Sequence, residues 1–322
     1  MIEVRSLKKY FKTKEGMLHA VDDVSFSVEK GETLGLVGES GCGKSTLGRT
    51  MIRLIDATSG SVHFEGVNIM ELSKGGMKSI RKKIQIVFQD PYSSLNPRMS
   101  VKDIIAEPLI VNSTFARSAD RDKRVWELMD TVGLARRLAG AYPHELDGGR
   151  RQRIGIARAL ALSPEFIVLD EPVSALDVCI QAQILNLLKV LQKDFGYTYV
   201  FISHNLSVVK HVSTRIAVMY LGKIVELAGG REIFKNPAHP YTKALISAIP
   251  RPVAGGRDER IILEGDVPSP VNPPAGCRFA GRCAIKTSEC EREDPELEEI
   301  AGAGVEGGSH FVSCFNSGRS AG

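Results

Sequence analysis

The sequence has no uninterrupted apolar run that reaches the roughly 20 residues needed for a membrane-spanning helix. Its N-terminus, Met1 to Tyr10, also lacks the apolar stretch of a secretory signal. If the protein serves a membrane, we therefore expect it to act from the cytosolic face, as a peripheral subunit bound to a partner.

The sequence also lacks a run of charge of one sign. Its 42 basic and 38 acidic residues are mixed along the chain and leave a net charge of +4. Nothing in it is typical of a nucleic-acid-binding stripe, so no nucleic-acid partner is expected. There is no internal repeat. With 322 residues, 43% of them hydrophobic, the chain can bury the core of one large domain with an appendage, or of two domains.

The pattern of apolar, glycine and proline residues divides the chain into three parts. Up to about residue 95, short β-branched runs alternate with glycine turns and predict strands, among them a buried one at Thr33–Val37. From about 97 to 163 the pattern is helical, with a helix predicted over Arg151–Leu162. Strands return at Phe166–Leu169 and Tyr199–Ile202. After about 228 closely spaced prolines predict a loop-rich appendage that buries little core unaided.

A glycine-rich loop follows the buried strand and fits the pattern G-x-x-x-x-G-K-[ST]. Its backbone N–H groups can surround phosphate oxygens, Lys44 can reach the β- and γ-phosphates, and the Ser45 hydroxyl can ligate Mg²⁺. The flanking strand and helix favour a nucleotide site over a purely structural glycine loop. The predicted nucleotide-binding residues of this loop are Gly38, Glu39, Ser40, Gly41, Cys42, Gly43, Lys44, Ser45 and Thr46.

A second apolar strand, Phe166–Leu169, leads directly into Asp170 and Glu171. In α/β sheets ligands bind at the carboxyl ends of strands, so both carboxylates are candidates for the same site. Asp170 would hold Mg²⁺, and Glu171 would act as general base toward the attacking water. Without the glycine loop, a solvated acidic turn would be the preferred interpretation.

Taken together with three further segments, these motifs resemble the ABC ATPases. Leu146 to Arg153 resembles the signature segment that precedes a helix in that family. Ser174 to Asp177 resembles the D-loop, His204 the switch histidine and Gln89 the Q-loop glutamine. Each is weak alone, since a lone histidine after a strand is more often a packing or surface residue. Their order and spacing between residues 38 and 204 make coincidence implausible.

The resemblance implies an ATPase that dimerises head to tail, each ATP lying between the phosphate loop of one chain and the signature helix of the other. It implies that His204 contacts the γ-phosphate and that Gln89 touches Mg²⁺ or water and senses the membrane subunit. Tyr10 stands where the family stacks an aromatic ring on adenine. The alternatives are Phe11 in that role, or a tyrosine that fills an edge-strand contact.

The signature departs from the family's usual Leu-Ser-Gly-Gly-Gln: Asp147, Gly148, Gly149 and Arg150 follow Leu146. A carboxylate at position 147 should repel the partner's γ-phosphate and cap its own helix. Arg150, one turn away, could neutralise it. We hypothesise an asymmetric heterodimer in which the site completed by Asp147 hydrolyses ATP poorly. The alternative is that neighbouring residues compensate and the site is merely slower.

Three segments narrow the resemblance to the importers of oligopeptides and dipeptides. They are Gln89 to Arg98, Glu171 to Val178 and Asn236 to Thr242. The last of these has the sequence Asn-Pro-Ala-His-Pro-Tyr-Thr. The resemblance implies two membrane permeases, a second ATPase subunit and an extracytoplasmic solute-binding protein as partners. Relatives in this group also import nickel, glutathione or oligosaccharides, which are the alternative solutes. A non-transport ABC ATPase is a weaker alternative, because the chain has neither coiled-coil insertions nor tandem nucleotide domains.

Four of the six cysteines lie in the C-terminal part: Cys277, Cys283, Cys290 and Cys314. In a cytosolic chain such a cluster favours metal ligation over disulfides. The spacing is not the paired C-x₂-C of common zinc folds, and its likeness to this transporter group implies a [4Fe–4S] cluster, with zinc as the alternative. Free buried thiols are the remaining interpretation. Cys179 is expected to be a small core residue.

The predicted fold is α/β, a RecA-like P-loop ATPase core with an antiparallel β part at its N-terminus. We predict a nucleotide-binding domain over residues 1–228, with a helical subdomain over about 97–163. Residues 229–322 are predicted to form a small extension with the four-cysteine metal site. The expected ligands of the nucleotide site are ATP and Mg²⁺, the metal being held by Ser45, Gln89 and Asp170.

Overall fold

The computed structural model of the chain describes residues 1–249, 260–300 and 309–317. Parts of the predicted extension, at 250–259, 301–308 and 318–322, lie outside these residues. The chain forms two compact units. The first unit comprises Met1–Val28, Glu32–Met70 and the chain from Ile202 onward, and the second comprises Glu29–Gly31 and Glu71–Phe201.

The elements alternate between strands and helices, as an α/β chain should. The strands are β1 (Ile2–Lys12), β2 (Met17–Val28), β3 (Thr33–Val37), β4 (Ser59–Phe64), β5 (Val67–Asn68), β6 (Ile84–Val87), β7 (Phe166–Asp170), β8 (Thr198–Ser203), β9 (Arg215–Tyr220), β10 (Lys223–Gly229), β11 (Glu298–Glu299) and β12 (Phe311–Val312). The helices are α1 (Lys44–Met51), α2 (Lys74–Lys83), α3 (Val101–Val111), α4 (Ser118–Thr131), α5 (Gly148–Leu160), α6 (Val178–Phe195), α7 (Leu206–Val212), α8 (Gly230–Lys235), α9 (Pro240–Ser247) and α10 (Ser288–Arg292). Among the described residues, none of the helices combines the length and apolarity required to cross a bilayer.

The first unit begins with an antiparallel sheet in the order β2-β1-β4-β5. Strand β1 pairs with β2 from Ile2 opposite Val28 to Lys12 opposite Met17. Ile2 and Val4 are buried while Glu3 is exposed, which is the alternation of a strand with one face on the core. The predicted antiparallel N-terminal part is therefore present, with longer strands than the short runs suggested.

The first unit also contains strands in the order β11-β12-β10-β9-β3. All five residues of β3 are buried, and β3 runs parallel to β9, with Leu34 opposite Arg215. This burial explains its continuous apolar sequence. The strand ends at Val37, so the phosphate loop begins at the carboxyl end of a parallel strand.

The C-terminal extension packs in the first unit and adds strands to it. Strand β12 pairs with β10, placing Val312 opposite Glu226. The Glu226 carboxylate is fully buried, and it accepts hydrogen bonds from the backbone N–H groups of Ala238 (2.7 Å) and His239 (2.9 Å). His310 Nε2 lies 2.7 Å from the same carboxylate. The predicted loop-rich appendage is thus tied to the first unit by buried polar contacts.

In the second unit β6 and β7 are parallel, from Ile84 opposite Phe166 to Val87 opposite Leu169. Helices α3, α4 and α5 fall within the range predicted to be helical. The predicted helix at Arg151 begins three residues earlier, at Gly148, because Asp147 caps it. Helix α4 ends at Thr131, shortly before Gly133, whose φ of +69° suits glycine.

Candidate nucleotide site

The phosphate loop joins β3 to α1 through glycines with positive φ. Gly38 has φ +157° and Gly43 has φ +105°. A Cβ on Gly38 would lie 2.1 Å from the Met219 carbonyl oxygen, and one on Gly43 would lie 2.0 Å from that of Ala20. Only glycine fits these two positions, because a side chain would collide with fixed backbone. The loop therefore packs tightly against the backbone of Ala20 and Met219.

Lys44, the first residue of α1, holds the loop together. Its residue is only 4% exposed, and its Nζ donates hydrogen bonds to the carbonyl oxygens of Gly38 and Glu39, both at 2.8 Å. Ser45 and Thr46 follow in the first turn of α1. The loop curves around the ammonium group, which is the charge expected to meet a phosphate at a helix N-terminus.

Glu39 of the phosphate loop contacts the C-terminal extension through both its backbone and its side chain. Its backbone N–H donates to the Tyr241 hydroxyl oxygen at 2.9 Å. Its carboxylate pairs with Arg282 at 3.0 Å. Burial alone would lower the pKa of Arg282, but hydrogen bonds to Tyr220 and Glu39 raise it. The extension thus contacts the phosphate loop directly.

Tyr10 lies on β1 opposite His19 of β2. Its ring stacks on the His19 ring, with centroids 4.0 Å apart and an angle of 19° between planes. Its hydroxyl donates to Asp22 Oδ1. Burial and this hydrogen bond raise the pKa of Tyr10 above its ordinary value. Phe11, the alternative aromatic, lies beneath the Lys9 ammonium group at 4.7 Å.

In the second unit Asp170 ends β7 and is fully buried. Glu171 follows with φ +47°, an uncommon conformation for a residue with a side chain. The Gln89 Nε2 donates to Glu171 Oε2 at 3.2 Å. Three predicted site residues are therefore close together here, and the left-handed turn at Glu171 is backbone strain of the kind found at functional sites.

The backbone carbonyl oxygen of Glu171 holds the segment that follows it. This oxygen accepts hydrogen bonds from Ser174 Oγ at 3.1 Å and from the Ser174 backbone N–H at 3.3 Å. Asp177 lies at the N-cap of α6 but makes no side-chain capping hydrogen bond. Gln181 Nε2 donates to the carbonyl oxygens of Val173 and Leu176, both at 2.9 Å. The D-loop candidate is thus a closed turn attached to the catalytic glutamate candidate.

The signature candidate begins α5. Asp147 is its N-cap and accepts from the Arg150 backbone N–H at 2.8 Å. Arg150 Nε lies 3.4 Å from Asp147 Oδ2. Both local contacts expected from the sequence are present. A Cβ on Gly148 or Gly149 would lie 3.1 Å from Leu176 or 2.6 Å from Ile180, so glycine allows the D-loop segment to approach closely.

His204 directly follows β8 in the first unit. The next residue, Asn205, caps α7 by accepting from the backbone N–H groups of Ser207 (2.9 Å) and Val208 (3.4 Å). Its own N–H donates to the Ser203 Oγ at 3.0 Å. The backbone on both sides of His204 is therefore held by side-chain hydrogen bonds.

The predicted metal site at the four C-terminal cysteines is wrong. Cys277, Cys283, Cys290 and Cys314 line one narrow cavity as free thiols. Nowhere in the described part of the chain do three or more His, Cys, Asp or Glu side chains form a group that could hold a metal ion. Neither the iron–sulfur cluster nor zinc is retained.

The four cysteines are partly or fully buried in the extension. This burial raises the pKa of Cys277 to about 11 and also raises the pKa of Cys283 and Cys314. The Cys290 sulfur contacts Thr287 Oγ1 (3.4 Å) and Asn316 Nδ2 (3.7 Å). Hydrogen-bonding side chains of the extension therefore surround the buried Cys290.

The two remaining cysteines differ from each other. Cys42 is buried, and its carbonyl oxygen accepts from the Gly222 N–H at 2.8 Å, so its backbone connects the loop to the turn after β9. Cys179 is exposed near the start of α6, and the prediction of a core residue is wrong. Helix α6 buries Ile184, Leu185, Leu188 and Leu191, whereas Val178 and Cys179 at its start are exposed.

Several residues next to the site were missed by sequence reasoning. They are His19, Asp22, Gly222, Tyr241, Arg278 and Arg282. Tyr241 belongs to a segment that drew attention only as a resemblance. Asp22 and Arg278 are separated by 256 positions along the chain and carry no motif, so only their meeting in the fold reveals them.

Three features define a P-loop nucleoside triphosphatase. They are the glycine-rich phosphate loop, the buried Lys44, and the acidic pair Asp170 and Glu171 at the end of the buried parallel strand β7. The donor set fits Mg²⁺ as well, because hydroxyl, amide and carboxylate oxygens are the ligands that hard cations take. Bound Mg²⁺ would neutralise charge developing on the phosphates, and Ser45, Gln89 and Asp170 stay its predicted ligands.

Comparisons with known proteins refine this class. Residues 21–174 match the family model described as ABC transporter. Residues 225–290 match the one described as oligopeptide/dipeptide transporter, C-terminal region. The chain is 53% identical to the oligopeptide transport ATP-binding protein AppF of Bacillus subtilis, over 98% of this chain and 96% of AppF. It is 46% identical to a putative peptide import ATP-binding protein of Brucella ovis, over 98% and 97%.

Solved structures agree. The dimeric, post-hydrolysis form of the ATP-binding cassette MJ0796, bound to ADP and Pi, is similar with a TM-score of 0.67 and 31% identity, over 72% of this chain and 99% of that one. The chain belongs to the ATP-binding subunits of ABC transporters. It is an ATPase that uses ATP with Mg²⁺ and couples hydrolysis to transport through membrane permease subunits.

Proposed function

We propose that this chain powers the import of dipeptides or oligopeptides from the cytoplasmic face of the membrane. Two observations support this class of solute. Residues 225–290 match the oligopeptide/dipeptide transporter C-terminal region, and the chain is similar over nearly its full length to a protein named for oligopeptide transport. Nickel, glutathione and oligosaccharides remain the alternative solutes. The partners are two permeases, a second ATPase subunit and an extracytoplasmic solute-binding protein.

The proposed roles of the residues follow the geometry of each unit. In the first unit the phosphate loop binds the phosphates through backbone N–H groups and Lys44, and Tyr10 stacks on the adenine. In the second unit Glu171 accepts the proton of the attacking water, with its carboxylate held by Gln89 at 3.2 Å. His204 contacts the γ-phosphate. We keep the domain division at residue 228 and the helical subdomain over about 97–163 as predictions.

The signature supports an asymmetric heterodimer. Asp147 uses its carboxylate to cap α5 and pairs with Arg150, so the N-terminus of this helix is already occupied by a negative side chain. A partner's γ-phosphate meets a carboxylate instead of a hydroxyl there, and like charges repel. The productive site is then the one in which this chain supplies the phosphate loop and Glu171, and the partner supplies an ordinary signature.

The experiment is ATP turnover and solute uptake by the complex of this chain with its partner ATPase, permeases and binding protein. Glu171→Gln should bind ATP normally and lose turnover by about a hundredfold or more, since general-base catalysis contributes on the order of 10² to 10⁴. Glu298→Gln, an exposed glutamate in β11, is the matched control and should be unchanged. Surviving turnover in Glu171→Gln would place hydrolysis in the other site and refute the proposed asymmetry.

The same complex tests the solute. Peptides presented by the binding protein should stimulate turnover and accumulate inside vesicles. Stimulation by nickel, glutathione or an oligosaccharide, with none by peptides, would refute the peptide assignment and leave the ATPase mechanism intact.

A further inference from the structure

The C-terminal extension contributes a buried arginine to the neighbourhood of Tyr10. The side chain of Arg278 is 6% exposed. Its Nη2 donates to Asp22 Oδ2 and its Nη1 donates to the carbonyl oxygen of Leu221. An arginine buried this deeply needs partners for its charge and its N–H groups, and here the partners come from the N-terminal sheet and from the turn after β9.

Asp22 connects this arginine to the aromatic pair. One carboxylate oxygen accepts from the Tyr10 hydroxyl, and the other, which Arg278 contacts, lies 3.1 Å from His19 Nδ1. Tyr10 and His19 stack on each other at 4.0 Å. The Tyr10 ring is therefore held at its hydroxyl by Asp22 and across one face by His19, which leaves its other face as the stacking surface.

The same carboxylate is linked to the phosphate loop through one turn. The Asp22 backbone N–H donates to the Gly222 carbonyl oxygen at 2.9 Å, and the Gly222 N–H donates to the Cys42 carbonyl oxygen at 2.8 Å. Gly222 has φ +84°, and a Cβ there would lie 2.6 Å from the His19 carbonyl oxygen and 3.0 Å from Arg278 Nη1. This close packing sets the distance between the phosphate loop and the aromatic pair.

The charges agree with this geometry. Burial by itself raises the pKa of Asp22, but hydrogen bonds from Tyr10 and His19 and the charge of Arg278 outweigh it and lower the pKa below its ordinary value. Asp22 is therefore a carboxylate at neutral pH, and Tyr10 keeps its proton. Removing the guanidinium would leave a buried carboxylate without its ion-pair partner, and the Tyr10 and His19 side chains would lose the fixed position of their common acceptor.

We propose that Arg278 is a positioning residue for base recognition: through Asp22 it holds Tyr10 and His19 in the orientation that stacks on adenine. The C-terminal extension thereby determines how strongly the site prefers a nucleotide to a bare polyphosphate. This inference rests on the proposed role of Tyr10 in stacking. Arg278 itself touches neither base nor phosphate in this scheme, so its removal should change recognition of the base and leave the phosphate loop working.

The test compares the binding of Mg²⁺-ATP and Mg²⁺-tripolyphosphate to the full-length chain by calorimetry. Tripolyphosphate engages the phosphate loop without a base, so the ratio of the two affinities isolates stacking. Arg278→Gln and Asp22→Asn should each weaken ATP binding about tenfold, within the range that base–aromatic stacking contributes, and change tripolyphosphate binding by less than about twofold. Lys286→Gln removes an exposed ion pair with Glu291 in the same extension and should change neither affinity.

Tyr10→Ala separates the two proposals. If Tyr10→Ala leaves the ratio of ATP affinity to tripolyphosphate affinity unchanged, Tyr10 does not stack on the base. The positioning role of Arg278 is then overturned as well. If Tyr10→Ala lowers the ratio while Arg278→Gln and Asp22→Asn do not, the stacking stands and only the positioning role of Arg278 is overturned. If Arg278→Gln weakens the binding of ATP and of tripolyphosphate equally, the positioning role is also overturned, because a general effect on the phosphate loop would then explain the result. Asp22→Asn keeps the side-chain shape and carries the test if Arg278→Gln does not fold.

Discussion

Gly43 shows how strictly a single residue can be determined by its surroundings. Its φ of +105° is rarely adopted by residues with side chains, and there is no room for a Cβ next to the Ala20 carbonyl oxygen. Both restrictions act at the residue that starts the helix carrying Lys44. Backbone strain here would move the phosphate-binding N–H groups directly.

We expect Gly43→Ala to weaken Mg²⁺-ATP binding at least about tenfold, because the loop must shift to relieve the 2.0 Å contact. Calorimetry measures the affinity, and circular dichroism checks that the fold survives. Gly140→Ala is the control, since its Cβ meets nothing within 4 Å. Unchanged affinity in Gly43→Ala would contradict the role given to this geometry.

At the same scale, sequence reasoning reaches residues whose type is needed at one place in a local motif. Lys44, Asp170, Glu171 and Gln89 were assigned site roles because their spacing from strands is local, and these roles stay predictions. Sequence reasoning failed for the four C-terminal cysteines, since spacing alone cannot show whether sulfurs surround a metal or remain free thiols. Asp22 was also missed, because its partner Arg278 is distant in the chain.

Helix α5 illustrates the scale of the element. Its sequence from Arg151 onward predicts a helix, but its start depends on the capping contact from Asp147 to the Arg150 N–H. The same contact places Gly148 and Gly149 against Leu176 and Ile180. A change in the cap should therefore affect both helix stability and the packing of the D-loop segment.

Asp147→Ala should lower the free energy of unfolding by about 1 kcal/mol through loss of the cap. Asp147→Asn retains a capping oxygen while it removes the ion pair with Arg150, and should cost only a few tenths of a kcal/mol, as expected for an exposed pair. Urea denaturation of the full chain measures both. Equal losses in the two variants would show that the charge, and not the cap, stabilises this helix.

For the whole molecule, burial in the first unit makes stability depend on pH. His239, the N-cap of α9, is buried, and this burial lowers its pKa to about 4, below the value near 6.5 of an exposed histidine. Between these pH values the unfolded chain binds more protons than the folded one. The stability that depends on neutral His239 is therefore complete above about pH 6.5 and decreases as the pH falls toward 4.

His239→Asn should flatten this dependence. Asparagine can still accept from the Tyr241 N–H, as His239 Nδ1 does at 3.1 Å, but it does not titrate. The free energy of unfolding should fall less steeply in the variant, by up to about 1.4 kcal/mol per pH unit. Denaturation between about pH 7 and pH 4.5 measures the slopes, with the exposed His144→Asn as control. Identical slopes for native protein and His239→Asn would rule out this source of acid sensitivity.

The sequence by itself determined the class of this protein, its α/β fold and the motifs of its predicted nucleotide site. These features depend on local patterns: buried apolar strands, a glycine loop and acidic residues directly after a strand. Only the tertiary structure decided that the extension packs with the N-terminal sheet, that Arg278 meets Asp22, and that the C-terminal cysteines are free thiols. Contacts between residues hundreds of positions apart, and the burial that shifts a pKa, arise from packing, which no local pattern encodes.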